Sequence, residues 1–183
     1  MVYISKSLGL NAVADYWEQV IIMNDHQKKR FADNIIAILY KTVTDKKITL
    51  LGWAFKKDTN DTRESAAIYV ADHLLNEKSN VAVYEPKVKE NKMLNDLNYL
   101  RTRAESENTR GVNGFHDPYK ACKGAHAIAI ITEWVEFKEL DWQKIYDKTM
   151  KPAFVFDGRG ILDVDVLTNI GFVVDVIGEK AAL

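Results

Sequence analysis

Beyond Lys46 the chain follows a rhythm that leaves it few folds to choose from. Short apolar runs, KITLLGWAF, VAVYE, AIAII, AFVFD and FVVDVI, alternate with stretches of helical spacing such as Ile68 to Leu75 and WVEFKELDWQKIY. A run that is apolar at every position must be covered on both faces. Alternation of such runs with helices therefore predicts a parallel sheet with helices on both sides. The expected fold class is α/β: a Rossmann-like, doubly wound parallel sheet over about residues 46–178. The polar stretch from Lys87 to Asn113 has weak periodicity and reads as a surface excursion with one short helix and one short strand.

The first forty residues keep a different period. Val13, Trp17, Val20 and Ile21 recur at helical spacing, and Phe31, Ile35, Ile38 and Leu39 resume it after a polar interruption. At the interruption Asn24 stands three residues before Gln27, a capping-box pattern that predicts a second helix start. The expectation is an N-terminal helical arm of two helices, 11–23 and 25–41, the second about 25 Å long at 1.5 Å per residue. The domain boundary falls at Thr42 to Lys46, giving a helical arm at 1–43 and a Rossmann-like α/β domain at 44–183. VYI follows Met1 without a cap or turn, so the chain reads as a fragment that enters a helix midway.

Charge and composition remove several function classes. Twenty-five basic residues nearly cancel 26 acidic ones, so no global field recruits nucleic acid or a membrane surface, and an anion site has to be local. The single cysteine, Cys122, excludes an internal disulfide framework, and the four histidines lack metal-ligand spacing. No leader and no run of eighteen apolar residues is visible, so a soluble, cytoplasmic protein is expected.

In a doubly wound sheet the ligand sits beyond the carboxyl ends of the strands, where strand order reverses. The loop after the first strand, GWAFKKDTNDTRES, does not have the GxGxxG form through which backbone approaches a pyrophosphate. It offers side chains instead: the cations Lys56 and Lys57 and the hydroxyls of Thr59 and Thr62. Asp61 three residues before Glu64 reads as a capping box, so a helix is expected from Asp61 or Thr62 with Arg63 in its first turn. A cation there opposes the helix dipole by roughly 0.3–1 kcal/mol, which an external anion would offset. The alternative is a merely solvated polar turn. A second cationic loop, FDGRG, projects Arg159 from the same edge of the sheet, and two such loops point to a phosphate or pyrophosphate site. Taken alone, FDGRG reads as an Arg paired with Asp157 or Asp163.

Three other features take blander readings. Glu85 occupies the place of a ribose-binding acid but, without the glycine turn, reads as a strand terminus before Pro86. Cys122 reads as a small core residue rather than a nucleophile, and Trp134, Phe137 and Trp142 as packing residues on a strand end and an amphipathic helix.

GWAFKKDTNDTRES, VYEPKV, AHAIAIITEW and FDGRGIL, in this order and spacing, closely resemble the C-terminal part of the UDP-glucose 6-dehydrogenases of the UDP-glucose/GDP-mannose dehydrogenase family. The opening VYISKSLGLNAVADYWEQVIIMNDHQKKRF is similar to the helical segment linking that family's two α/β domains. The resemblance implies an oxidation of UDP-glucose to UDP-glucuronate that uses two NAD and a catalytic cysteine. It implies that Phe55, Lys56, Lys57, Asp58, Thr59, Asn60, Asp61 and Thr62 line the UDP-sugar with Lys56 foremost, that Arg159 contacts substrate, and that Arg63 reaches the cofactor. It also implies a homodimer through the arm and a higher oligomer in the full-length enzyme. The family's GxGxxG turn and its GGSCF-like cysteine motif are not in these 183 residues, so no catalytic residue is expected among them. The isolated chain is expected to be inactive. The competing expectation is a non-enzymatic, dimeric nucleotide-sugar-binding or structural module.

Overall fold

All five apolar runs become strands. In the computed structural model, which describes residues 1–178, they form β1 (Lys47–Leu51), β2 (Asn80–Tyr84), β4 (Ala127–Ile130), β5 (Phe154–Asp157) and β6 (Val173–Val176). A sixth strand, β3 (Val112–Phe115), closes one edge. The order is β3-β2-β1-β4-β5-β6 and every neighbouring pair is parallel. Strand order reverses between β1 and β4, so right-handed crossovers place the helices before and after that point on opposite faces. Burial follows from this: β1, β4 and β5 are buried almost throughout, while the edge strand β6 is half-buried at each residue.

The helices are α1 (Val2–Ser7), α2 (Asn11–Ile38), α3 (Ala66–Asn76), α4 (Glu90–Leu100), α5 (Glu105–Gly111), α6 (Pro118–Cys122), α7 (Trp142–Tyr146) and α8 (Val164–Ile170). The excursion from Lys87 to Asn113 is more ordered than its weak periodicity predicts. It holds two helices, α4 and α5, and β3, because Met93, Leu97 and Asn108 are buried while most other positions stay polar and exposed. The stretch after β4 forms a 3-10 turn, Val135–Phe137, and the short α7 rather than one amphipathic helix, although Trp134, Phe137 and Trp142 are buried as expected.

The arm differs from expectation in one respect. Asn24 starts no second helix: α2 runs unbroken for 28 residues. Its backbone ladder continues through MNDHQ, so no free amide is left there for Asn24 or Gln27 to cap. The polar residues instead pair along the helix, Lys28 with Asp25 at 3.0 Å and Lys29 with Asp33 at 2.6 Å, at the spacings that support a continuous helix. The two halves of α2 have different fates. Phe31, Ala32 and Ile35 are buried in the core of the sheet domain, whereas Val13, Val20, Ile21, Ile22 and Met23 are exposed. No described helix is long and apolar enough to cross a membrane.

The second half of α2 is therefore part of the domain's core. Ile35→Ala should lower stability in urea unfolding by about 2–5 kcal/mol, whereas Met23→Ala, 57% exposed, should change it by no more than about 0.5 kcal/mol.

Candidate functional site

The loop after β1 leaves the sheet through a tight passage. Gly52 has φ +102°, and a Cβ there would stand 2.6 Å from the backbone nitrogen of Thr132, so only glycine lets the loops after β1 and β4 come this close. The Thr132 hydroxyl then donates to the carbonyl of Ala54 at 2.7 Å. Further on, the Phe55 amide donates to the carbonyl of Asp61 at 2.8 Å and closes the segment between them into a compact lobe.

The amides that a dinucleotide turn would offer to a pyrophosphate are already taken. Glu85, only 6% exposed, accepts from the amides of Trp53 at 2.6 Å and Ala54 at 3.0 Å and from the Trp134 indole at 3.1 Å, all on Oε2. Its Oε1 accepts from the Lys87 amide at 3.0 Å. Glu85 is thus more than a strand terminus: it fastens three segments. An anion drawn to the same amides would meet this carboxylate. The residues after β1 therefore do not fit a dinucleotide phosphate in the usual cradle.

Asp157 does the same at the end of β5. Fully buried, it accepts from the amides of Arg159 and Gly160 on Oδ1 and of Ile161 and Leu162 on Oδ2, at 2.7–2.9 Å. Its carboxylate serves the backbone and not the Arg159 guanidinium. Arg159 Nε instead donates to the carbonyl of Ile131 and lies 3.5 Å from Glu133. Glu133 also accepts from the Lys57 amide at 3.3 Å and so ties the two cationic loops together. The terminal guanidinium nitrogens of Arg159 meet no acceptor among the described residues.

Between these loops and the middle of α2 lies a cleft of about 480 Å³, beyond the carboxyl end of β4 at the point of strand reversal. Phe55 and Arg159 both line it, together with Ile130, Ile131 and Gly158. A Cβ on Gly158 would meet the Ile130 carbonyl at 2.8 Å, so this close approach calls for glycine. Lys28 and Gln27 of α2 form the far wall. Lys28 lies 3.7 Å from Glu64 and 3.9 Å above the Tyr69 ring. Burial, with Glu64 as acceptor, pushes the Tyr69 hydroxyl up to about 12. The Gln27 Oε1 is buried and finds no hydrogen-bond partner among the described residues, so this wall carries an unused acceptor. Neither residue was expected from the sequence, where MNDHQ reads as a cap.

The remaining candidates divide. Lys56, Lys57 and Asp58 are exposed at the lobe's tip, and no carboxylate pairs with either ammonium among the described residues. Thr59 accepts from the Asp61 amide at 3.1 Å and shapes the turn. Asn60, Asp61, Thr62 and Arg63 face away from Phe55, into a second cleft. The helix expected from Asp61 begins instead at Ala66, capped by the Ser65 hydroxyl, which accepts from Ala67 at 3.3 Å. Arg63 therefore lies ahead of the helix and opposes no dipole. Asp61 takes it through Nε and Nη2, and the Arg63 guanidinium holds the Asp61 carboxyl down to about 2. The signal for the true start was Ser65 directly before AAIYV. Cys122 is 1% exposed and its burial pushes the thiol up to about 12, so it is no nucleophile at neutral pH.

Comparison with known proteins gives this geometry a context. Residues 49–164 match the UDP-glucose/GDP-mannose dehydrogenase family, UDP binding domain. The chain is 50% identical over 184 residues to the UDP-glucose 6-dehydrogenase of Mus musculus, covering 100% of this chain and 37% of that protein. It is 51% identical over 180 residues to the Caenorhabditis elegans enzyme, covering 98% and 37%. It thus spans little more than a third of these relatives' length. Among solved structures, the NDP-N-acetyl-D-galactosaminuronic acid dehydrogenase of Methanosarcina mazei Go1 superposes with a TM-score of 0.66 at 20% identity over 95% of this chain and 32% of that one. A UDP-glucose dehydrogenase from Pyrobaculum islandicum gives 0.60 at 23% identity over 87% and 32%. At such identities the structural likeness speaks for the fold alone.

Glu85→Ala would strand three buried N–H donors at once. It should cost about 3 kcal/mol or more in denaturant unfolding, with a change in near-ultraviolet dichroism from Trp53 and Trp134. Glu85→Gln keeps one acceptor oxygen and should recover only part of the loss.

Proposed function

We propose, from the premise that the chain belongs to the UDP-glucose/GDP-mannose dehydrogenase family, that it supplies the UDP-sugar-binding half of an active site that oxidises UDP-glucose to UDP-glucuronate with two NAD. The observation that carries this reading is the convergence of Phe55 and Arg159 on one cleft at the strand-reversal point. An aromatic ring and a guanidinium whose terminal nitrogens meet no acceptor among the described residues, lining one cleft, suit a nucleoside diphosphate: the ring packs on a planar or pyranose face, and the cation pairs with phosphate oxygens. In this reading Phe55 and the lobe's tip from Lys56 to Thr59 border the ligand, with Lys56 as the leading polar contact, Arg159 completes the site, and Asn60, Asp61 and Thr62, which line the second cleft, shape the lobe without touching the sugar.

Hydride acceptance is assigned elsewhere. The amides after β1 are committed to Glu85, so NAD would be held by residues outside 1–183, with Arg63 reaching across to it. Covalent chemistry needs an activated nucleophile, which the buried Cys122 is not. The chain by itself is accordingly proposed to bind UDP-sugar and to turn nothing over. The exposed apolar residues on the first half of α2 are proposed to pair two copies through the arm.

Calorimetric titration of the chain with UDP-glucose tests the ligand. Lys56→Ala and Arg159→Ala should each weaken binding by about 1–3 kcal/mol, the size of a charged hydrogen bond. Unaltered affinity in both would refute the assignment, and no heat at millimolar UDP-glucose would favour a non-enzymatic module. For the arm, Ile22→Asp should convert a sedimenting dimer into a monomer while the melting of the sheet domain persists. A wild-type monomer would refute arm pairing.

A further inference from the structure

On the opposite side of the lobe lies the second cleft, and the geometry points to it as an anion site that takes a phosphate group, separate from the Phe55–Arg159 cleft. Four cations border it: Arg63, Lys87, Lys89 and Lys92. Two have carboxylate partners, Arg63 with Asp61 at 2.7 Å and Lys92 with Asp96. Lys87 and Lys89 have none among the described residues, so the cleft carries two uncompensated positive charges. Like charges gathered in one concavity repel each other, and a dianion relieves them. The charge count thus favours a phosphate dianion or one end of a diphosphate over a carboxylate.

Thr62 supplies the independent observation. It is 1% exposed, lines this cleft, and its Oγ1 has no hydrogen-bond partner among the described residues. A buried hydroxyl left unpaired is costly, and a phosphate oxygen is an acceptor it could reach from the cleft wall. The cations stand on anchored backbone. The Lys87 amide is fixed by Glu85 at 3.0 Å. Asp96, which holds Lys92, also accepts from the Trp53 indole at 3.1 Å and ties α4 to the loop after β1. The cleft is therefore largely preorganised, which lowers the cost of binding.

The two clefts share no lining residue, and the Phe55–Asp61 hydrogen bond closes the lobe between them. The inference stands without the UDP-sugar reading of the first cleft. Free oligophosphate and the phosphates of a nucleotide present the same chemistry, and either would fill the site.

The test is a titration of the ¹⁵N-labelled chain with inorganic pyrophosphate, followed at the amides of Thr62, Lys87 and Lys89. Saturable shifts there are expected, with affinity falling as salt rises. The double variant Lys87→Gln/Lys89→Gln should bind pyrophosphate about tenfold or more weakly, and Thr62→Val about threefold or more weakly at unchanged melting temperature. UDP in place of pyrophosphate identifies the source: tighter binding than pyrophosphate assigns a nucleotide, equal binding assigns the phosphate alone. Retained UDP-glucose binding in the double variant would keep this site distinct from the first. The inference is overturned by the absence of a saturable shift at these amides, by undiminished pyrophosphate affinity in the double variant, or by shifts confined to Phe55 and Arg159.

Discussion

Two buried carboxylates organise the carboxyl edge of this sheet. Glu85, just beyond β2, and Asp157, ending β5, each accept four N–H donors from the loops around them. In a dinucleotide-binding turn such amides stay free to meet a phosphate, and glycines let the phosphate approach. Here the donors are satisfied from within, which stiffens the loops before any ligand arrives. A carboxylate aimed at a turn also repels an anion from it. In the proposed reading, recognition of a phosphorylated ligand would pass to side chains instead, with Lys56, Arg63 and Arg159 carried on the stiffened loops.

The sheet was legible because its physics is local and redundant. KITLL, AIAI and FVFD are apolar at nearly every position, and only a strand covered on both faces needs that. The edge strand β3, VNGF, was legible only as one short strand somewhere in the Lys87–Asn113 excursion, since it lacks the unbroken apolar run that would have fixed its place. The two misread helix starts have one cause. A capping box is a statement about free amides, and a sequence shows the capping side chains but not whether the amides are free. At Asn24 they were consumed by the continuing helix, and at Asp61 the carboxylate went to Arg63.

Part of the candidate site's layout was legible. The two loops singled out by their cations, those of Phe55 and Arg159, come to line one cleft. Hidden was the role of Glu85, because a lone acid after a strand says nothing of the three segments that converge on it. Gln27 and Lys28 were hidden too, since their place in the cleft wall depends on α2 running straight through the expected break.

The division of the β1 loop into two faces follows from a single hydrogen bond. With the Phe55 amide closed on the Asp61 carbonyl, Phe55 lines the apolar cleft beside α2, while Asn60, Asp61 and Thr62 line the polar cleft beside α4. The apolar cleft receives the end of β4 and the ring of Phe55, where water is easily displaced from the faces of a base or sugar. The polar cleft receives Arg63 and three lysines, whose repulsion is tolerable only while water or an anion screens it. A ligand with an apolar ring and a charged tail is thus met by two environments a few residues apart. The lobe's exposed tip, Lys56 to Asp58, lies between them, open to whatever surface is brought against this edge.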